Sequence, residues 1–246
     1  MSTHNENKTA IVSGSSIGIG SHIAESLIND GYNVVMTYFK NKNKAEKLEK
    51  KLKKIGNVKL YKLDVSKSSN VNSLVKNSLK NFPSIDLLIN NAGIHIDRNV
   101  SSMDEISWNK VIETNLGGTF HFCKSVLPQM RKQQYGRIIN IGSVVALTGS
   151  KGASNYSASK AGIIGFTKSF AREVAAFGIT VNTIMPGFFD EGMFYHLDSK
   201  TRKSIIKQIP SKRLGQSHEI ADLIKTIIPS SYLTGQSFVL DGGYSI

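Results

Sequence analysis

The chain has 246 residues, 40% of them hydrophobic and 20% charged, which is enough to build one sizeable core. Apolar residues are spread along the whole length, which excludes a disordered chain, and no run reaches the ~18 consecutive apolar residues of a membrane span. The net charge of +13 makes nucleic acid or an acidic protein a candidate partner, but +8 of it falls between Lys40 and Lys62. The polar start of the chain has no signal-peptide pattern, so we expect a soluble, cytosolic protein.

Short apolar runs alternate with amphipathic segments, which is typical of a parallel sheet wrapped by helices on both faces. The predicted helices, about six, include residues 21–30, a lysine-rich segment, residues 70–82, a long helix that ends near Arg131, and residues 155–177. No linker separates these elements, so we expect residues 1–246 to form one doubly wound α/β (Rossmann) domain. The seven predicted strands lie in TAIVSG, NVVMTY, VKLYKLDV, DLLINNAG, RIINIGS, ITVNTIMPG and QSFVLDG.

The first strand leads directly into a glycine-rich turn, SGSSIGIG at residues 13–20, and then into a helix. Glycines there let the backbone turn tightly, while the amides at the helix N-terminus face a pyrophosphate. Such a sequence can also be a plain turn, but its place on the first strand of an α/β chain favours a nucleotide site. The candidate cofactor contacts are Gly14, Ser16, Ile17, Gly18, Ile19 and Gly20.

The second strand ends without a carboxylate, since the next acidic residue is Glu46. An NAD site of this kind usually has an Asp or Glu there to bind the ribose 2′-hydroxyl. Its absence, with Lys40 and Lys42 nearby to attract a 2′-phosphate, favours NADP (NADPH). Alternatively, the two lysines only continue a solvated helix face. The candidate contacts at the ends of the second and third strands are Tyr38, Phe39, Lys40, Asp64 and Val65.

The lysine-rich segment carries a narrow apolar stripe of Ala45, Leu48, Leu52 and Ile55, which predicts a helix with a solvated lysine face. It has no interleaved aromatic residues, which disfavours a nucleic-acid surface.

The single cysteine, Cys123, rules out an internal disulfide, and its apolar surroundings predict a buried structural thiol. The six histidines form neither an HExxH motif nor a close pair, so we predict no metal site.

Tyr156 and Lys160 are four residues apart in NYSASKAG, so on a helix their side chains share a face. At about 5 Å and an effective dielectric near 20, Coulomb's law favours the phenolate by roughly 3 kcal/mol, or about two pKa units. Such a tyrosine can exchange protons near neutral pH, although the pair also occurs by chance in many helices. Ser143, at the end of a predicted strand, and Asn115, in TNLGG, are candidates for the same edge of the sheet.

Six motifs occur in an order that resembles the short-chain dehydrogenase/reductase family over nearly the whole chain. They are SGSSIGIG, NNAG, TNLGG, the spacing of Ser143, Tyr156 and Lys160, the Pro186-Gly187 pair and the terminal LDGG. Within that family, GRIINIGSVVALTG and KAGIIGFTKSFAREVA are most similar to 3-oxoacyl-[acyl-carrier-protein] reductases. The resemblance implies NADPH-dependent reduction of a ketone, first of all a 3-oxoacyl thioester on an acyl carrier protein. The alternatives are a free steroid, quinone, sugar or polyol as substrate, or an idle dinucleotide sensor.

The resemblance also implies roles for individual residues. Tyr156 would donate a proton to the substrate carbonyl oxygen, which Ser143 would hold. Lys160 would bind the nicotinamide ribose and lower the pKa of Tyr156, and Asn115 would fix a water that links Lys160 to solvent. The residues that would frame the cofactor are Asn90, Asn91, Ala92, Gly93, Tyr156, Lys160, Pro186, Gly187 and Phe189.

Two positions depart from the family pattern around the cofactor. Ile17 stands where many NADP-using members have a basic residue, and Glu191 stands where a threonine commonly touches the cofactor. Because a carboxylate repels a pyrophosphate, we expect either a rearranged loop or loose cofactor binding without substrate. The surrounding segment, residues 188–210, has Phe and Met residues that suit an apolar substrate or pack a lid onto the core.

The expected carrier contacts also depart from the pattern. Two arginines implicated in carrier docking in the acyl-carrier reductases correspond to Gln134 and Phe177 here. We expect a homotetramer, because the family's long helices, here residues 118–130 and 157–176, typically pair between subunits. The basic residues close in sequence that could replace the arginines are Arg131, Lys132, Lys168 and Arg172.

Overall fold

The computed structural model describes residues 8–191 and 198–246, and seven of its strands form one parallel sheet. The strand order is β3-β2-β1-β4-β5-β6-β7. The predicted fold class, a doubly wound seven-stranded α/β sheet, is therefore confirmed. The strands are β1 (Thr9–Val12), β2 (Asn33–Tyr38), β3 (Val58–Lys62), β4 (Leu87–Asn90), β5 (Gly136–Ile141), β6 (Ile179–Pro186) and β7 (Ser237–Leu240).

The described residues contain nine α-helices, more than the six or so expected from the sequence. None of them, over this part of the chain, is both long and apolar enough to cross a membrane. They are α1 (Gly18–Asn29), α2 (Lys42–Leu52), α3 (Ser68–Asn81), α4 (Glu105–Ile112), α5 (Gly118–Gln133), α6 (Val145–Thr148), α7 (Ser154–Val174), α8 (Ser199–Gln208) and α9 (Ser217–Ile227).

The additional helices lie where the sequence pattern is short or broken. The long helix predicted to end near Arg131 is divided into α4 and α5 by a π-helical turn, Glu113–Gly117. α6 has only four residues, and α8 lies in the segment that was expected to be a loop. Ile55 is the other difference: α2 ends at Leu52, so Ile55 falls beyond the helix and is exposed.

Two cores lie on opposite faces of the sheet, because side chains alternate along each strand. In β1, Ala10 and Val12 pack with α1, α2 and α9, whereas Ile11 packs with α3, α5 and α7. Cys123 of α5 belongs to the second core, where burial raises its pKa to about 12. The predicted structural thiol is confirmed, since a buried thiol with such a pKa is a poor nucleophile.

The strand order reverses direction between β1 and β4, which are neighbours in the sheet although β2 and β3 come between them in sequence. The loops that leave the carboxyl ends of β1 and β4 therefore run to opposite sides. In open parallel sheets this arrangement creates a crevice at the carboxyl edge, and ligands bind there. The glycine-rich turn and the NNAG segment border this crevice.

Candidate active site

Hydrogen bonds from both neighbouring strands hold the glycine-rich turn. On the β2 side, Gly14 N donates to Thr37 Oγ1 (2.9 Å), and Ser15 N donates to Thr37 O (2.9 Å). On the β4 side, Asn91 Nδ2 donates to Ser13 O (3.0 Å) and Gly14 O (2.9 Å). Hydrogen bonds within the protein thus hold the turn in place.

The glycines of this turn are required by the close approach of the backbone. Gly14 has φ +63°, and a Cβ there would lie 2.8 Å from Ala92 Cα. A Cβ on Gly20 would lie 2.6 Å from Gly14 O. Gly18 has φ +59° and begins α1, whose N-cap residue, Ile17, provides no side-chain hydrogen bond. The first-turn amides are consequently available to an anion, and the turn fits a dinucleotide pyrophosphate.

The carboxyl ends of β2 and β3 differ in how firmly their side chains are held. Phe39 is 53% exposed, and Lys40 is also exposed. Lys42 Nζ lies 3.6 Å from Glu46 Oε1 in an exposed i,i+4 pair. Asp64, in contrast, accepts hydrogen bonds from both the N and the Oγ of Ser66, so its carboxylate is turned toward its own loop.

Asn115 is buried in the π-helical turn between α4 and α5, where it connects three segments. Its Oδ1 accepts from Ile94 N (2.8 Å), and its Nδ2 donates to Ile94 O (2.9 Å) and Ser159 Oγ (3.0 Å). An asparagine inside a regular α-helix is mildly unfavourable, because its side chain competes for backbone hydrogen bonds. The wider π-helical turn accommodates it, and such turns are frequent at functional sites.

Lys160 is 4% exposed, and its Nζ donates to Ile141 O at the end of β5 (2.7 Å). Its Nζ lies 5.6 Å from the centroid of the Tyr156 ring, so the two side chains share a face of α7 as predicted. A Cβ on Gly93 would lie 3.6 Å from this Nζ and 3.3 Å from Asn115 Oδ1. Burial lowers the pKa of Lys160 to about 8.

The pKa of Tyr156 shifts in the direction opposite to our expectation. Desolvation raises it, a hydrogen bond with Ser143 lowers it, and the charge of Asp97 raises it further, with a net rise. The Coulomb estimate took Lys160 as a full charge in a medium of intermediate dielectric. Burial disfavours the charged forms of both residues, and this cost dominates in the structure. The phenol is therefore protonated at neutral pH.

Ser143 follows β5 by two residues and is brought to Tyr156, 13 positions later in the chain, by the packing of α7 on the sheet edge. A network of hydrogen bonds between buried polar side chains links the strands that form this edge. It consists of the hydrogen bonds Asn90 Nδ2 to Asn140 Oδ1, Asn140 Nδ2 to Thr167 Oγ1, and Thr183 Oγ1 to Thr167 Oγ1, each 2.8 Å. These bonds join β4, β5, β6 and α7 into one frame.

The segment after β6 is anchored at its start. Val144 N donates to Pro186 O, and Gly187 N donates to Leu240 O, each at 2.9 Å. The side chain of Phe189 is buried in the core beneath α1 and α9, so only its backbone borders the crevice. Residues 192–197, which include Met and Phe residues of the predicted lid, lie outside the described residues.

Two consecutive acidic residues follow, and each has a basic partner. Asp190 pairs with Arg202 of α8. Glu191 Oε1 lies 2.5 Å from His22 Nε2 of α1. The unusual carboxylate at position 191 is therefore engaged by an imidazole, which the sequence did not indicate.

The basic residues proposed for carrier docking lie near the opposite edge of the sheet from Tyr156. Lys168 is twelve residues beyond Tyr156, which corresponds to about 18 Å of helix. Arg131, at the end of α5, places its guanidinium over the ring of Phe177, 4.1 Å from the centroid. A positive charge thus lies beside one of the two positions that lack the expected arginine.

Several positioning residues were missed from the sequence. Asn155 is fully buried, donates from Nδ2 to Ile96 O (3.1 Å), and accepts from Tyr156 N (2.7 Å). Thr37 and Ser13 hold the glycine-rich turn, and Asp97 acts on Tyr156 through its charge. The sequence carried no signal for their roles, because these depend on contacts with segments distant in the chain.

Known proteins resemble the chain along most of its length. Residues 8–202 match the family described as short chain dehydrogenase. The 3-oxoacyl-[acyl-carrier-protein] reductase FabG of Staphylococcus epidermidis is 41% identical over 241 residues, covering 96% of this chain and 98% of the relative. A reductase of the same name from Staphylococcus aureus is 41% identical, covering 96% of this chain and 97% of the relative. The one from Salmonella typhimurium is 42% identical and covers 97% of each. The chain therefore belongs to the short-chain dehydrogenase family.

Proposed function

We propose that this protein is an NADPH-dependent 3-oxoacyl-[acyl-carrier-protein] reductase whose residues 1–246 form one domain. The observation that carries the proposal is the convergence of Ser143, Tyr156, Lys160 and Asn115 at the sheet edge, beside a turn that fits a pyrophosphate. The relatives are similar to this chain over nearly its whole length, and their names state this activity. The same substrate class is therefore supported for this protein.

NADPH, when bound, supplies the hydride that reduces the ketone. On this proposal the first turn of α1 holds the pyrophosphate, and Lys160 holds the nicotinamide ribose. The exposed Lys40 and Lys42, with no carboxylate beside them before Glu46, attract the 2′-phosphate. The residues that would border the cofactor are Gly14, Ser16, Ile17, Gly18, Ile19, Gly20, Tyr38, Phe39, Asp64, Val65, Asn90, Asn91, Ala92, Gly93, Pro186, Gly187 and the backbone of Phe189.

Tyr156 acts as the proton donor to the substrate carbonyl oxygen. Its raised pKa keeps the proton on the phenol at neutral pH, which is the form that reduction needs. Ser143 shares a hydrogen bond with this hydroxyl and is placed to hold the same carbonyl oxygen. In the reverse direction, the oxidation of an alcohol, the same residue would act as the proton acceptor.

Lys160 and Asn115 are assigned to the resupply of protons to Tyr156 and to the geometry of the residues around it. Lys160 is fixed by Ile141 O, and Asn115 lies across Gly93 from it. Through Ser159, whose Oγ donates to Tyr156 O (2.7 Å), Asn115 also stabilises the first turn of α7. The proposed route for proton replacement runs from solvent past Asn115 to Lys160.

An acyl carrier protein is the proposed partner, recruited by Arg131, Lys132, Lys168 and Arg172. Carrier proteins are acidic, and exposed charges of opposite sign mainly increase the association rate. We also propose a homotetramer in which α5 and α7 pair between subunits. Phe120 of α5 is 45% exposed although it touches Phe166 of α7, which supports an apolar contact surface on these helices.

The test is a comparison of NADPH consumption with a 3-oxoacyl-acyl-carrier protein and with the same acyl group on N-acetylcysteamine. A higher kcat/KM for the carrier-bound substrate is expected. Equal values would reject the carrier and favour a free ketone. In that case steroids, quinones, sugars and polyols should be screened. NADPH binding without turnover of any of these would favour a dinucleotide sensor.

A further inference from the structure

The pair between His22 and Glu191 joins two segments that border the proposed cofactor site from different sides. His22 lies on α1, directly after the glycine-rich turn, and Glu191 lies in the segment that follows β6. The Nε2 and Oε1 atoms are 2.5 Å apart, and the two side chains are 45% and 29% exposed. The contact therefore lies at the protein surface and is not part of a core.

His22 is close to the phosphate-binding end of α1. It is four residues beyond Gly18, so the two share a helix face, and their Cα atoms are separated by about 6 Å along the axis. Side chains on a helix lean toward its N-terminus, so the imidazole extends along the face where Gly18 has no side chain. The carboxylate that it binds is thus held beside the first turn of α1.

A free carboxylate at this place would compete with an anionic ligand. The first turn of α1 contains no acidic residue, and the N-cap side chain makes no hydrogen bond to it. Uncapped amides at a helix N-terminus attract carboxylates for the same reason that they attract phosphates. Glu191 contacts His22, about one turn along α1 from these amides, so a carboxylate released from the imidazole would be free to compete for them.

We propose that His22 is a positioning residue that keeps the carboxylate of Glu191 paired with its imidazole, and so leaves the amides of the first turn of α1 available to the phosphates of the dinucleotide. This inference rests on the proposed NADPH site. It assigns to His22 a role in cofactor affinity that depends entirely on the presence of a carboxylate at position 191. A carboxylate is tolerated beside the pyrophosphate because the imidazole restrains it.

The experiment is a double-mutant cycle with the NADPH dissociation constant as the readout, measured by titration of nucleotide fluorescence without substrate. His22→Ala should raise the Kd by about two- to tenfold, the range expected for an anion at a helix N-terminus. Glu191→Gln should bind NADPH as tightly as the unmodified protein or more tightly. In the Glu191→Gln background, His22→Ala should have no further effect on the Kd.

Two further variants separate positioning from a general structural effect. His22→Gln retains a side-chain N–H donor, so it should keep most of the affinity. His218→Ala removes another exposed histidine, in the first turn of α9, and should not change the Kd. Thermal unfolding without nucleotide shows whether each variant is folded.

The outcomes distinguish this inference from the proposed function. If His22→Ala weakens binding equally with Glu or Gln at position 191, His22 acts directly on the nucleotide and the inference is wrong. An unchanged Kd in His22→Ala also overturns it, while leaving the reductase proposal intact. If the unmodified protein binds neither NADPH nor NADH, the proposed function fails, and this inference fails with it.

Discussion

The two ends of the crevice are built from the same kind of sheet edge but hold their side chains differently. At the catalytic end, Lys160 and Asn115 are buried and each has fixed backbone partners. At the cofactor-selecting end, Phe39 and Lys40 are exposed, and Lys42 pairs with the exposed Glu46 at 3.6 Å. Buried groups with several partners are rigid and little screened by salt, whereas exposed charges are mobile and screened.

This difference predicts how each end responds to substitution. Substitutions at the catalytic end should reduce turnover by a large factor that is nearly independent of ionic strength. Substitutions at the cofactor-selecting end, and at the proposed carrier surface, should have smaller, salt-dependent effects on cofactor preference and on KM. The following predictions test that contrast.

The largest effect is expected for Tyr156→Phe. Removal of a positioned general acid should lower kcat at least ~100-fold. The Kd for NADPH should stay nearly unchanged, because the substitution removes only the phenolic hydroxyl and leaves Lys160, which is assigned to the ribose, in place. Steady-state kinetics and a fluorescence titration measure the two quantities. Turnover close to that of the unmodified enzyme would reject Tyr156 as the proton donor.

The pH profile of reduction should show the titration of Lys160. Burial lowers its pKa to about 8, so the ammonium form is present below that pH and is lost above it. Reduction needs a proton, so kcat/KM should fall as pH rises through about 8, by up to about tenfold per unit. Lys160→Ala should abolish this limb and should weaken both turnover and NADPH binding. A profile that stays flat to pH 10 would remove Lys160 from the proton route.

Charge reversal at the proposed carrier surface should have an intermediate effect. Arg131→Glu combined with Lys168→Glu should raise KM for the carrier-bound substrate several-fold, since rim charges steer association. The N-acetylcysteamine thioester should react as before, because both residues are distant from Tyr156. Equal losses with both substrates would indicate an effect on folding or assembly. No loss with either would place docking elsewhere.

The smallest effect is expected for Lys40→Ala with Lys42→Ala. The preference for NADPH over NADH should fall by a few-fold at low salt, and less at high salt, because exposed charges are screened. Lys44→Ala with Lys47→Ala is the matched control, since these exposed lysines lie farther along α2. An unchanged preference for NADPH over NADH would mean that Lys40 and Lys42 are only solvated surface residues. A preference for NADH in the unmodified protein would show that our interpretation of the end of β2 was wrong.

The sequence predicted the fold class and most elements because these depend on local patterns. Alternating apolar runs predicted the seven strands, and the predicted helices 70–82 and 155–177 agree with α3 and with α7 plus its following turn. The division between α4 and α5 was missed. An i,i+4 apolar pattern continues across a π-helical turn, and only the contacts of Asn115 with Ile94 and Ser159 explain the change.

The chain alone determined which residues occur at which spacing: the glycines after β1, the tyrosine and lysine four apart, and the absence of a carboxylate after β2. Tertiary structure decided their electrostatics and their partners. Burial raised the pKa of Tyr156 where the isolated helix pair predicted a decrease, because desolvation depends on everything packed around the phenol. The pairing of Glu191 with His22, 169 positions apart, likewise exists only in the folded chain: β6 lies three positions from β1 in the sheet, and the segment that follows β6 packs against α1.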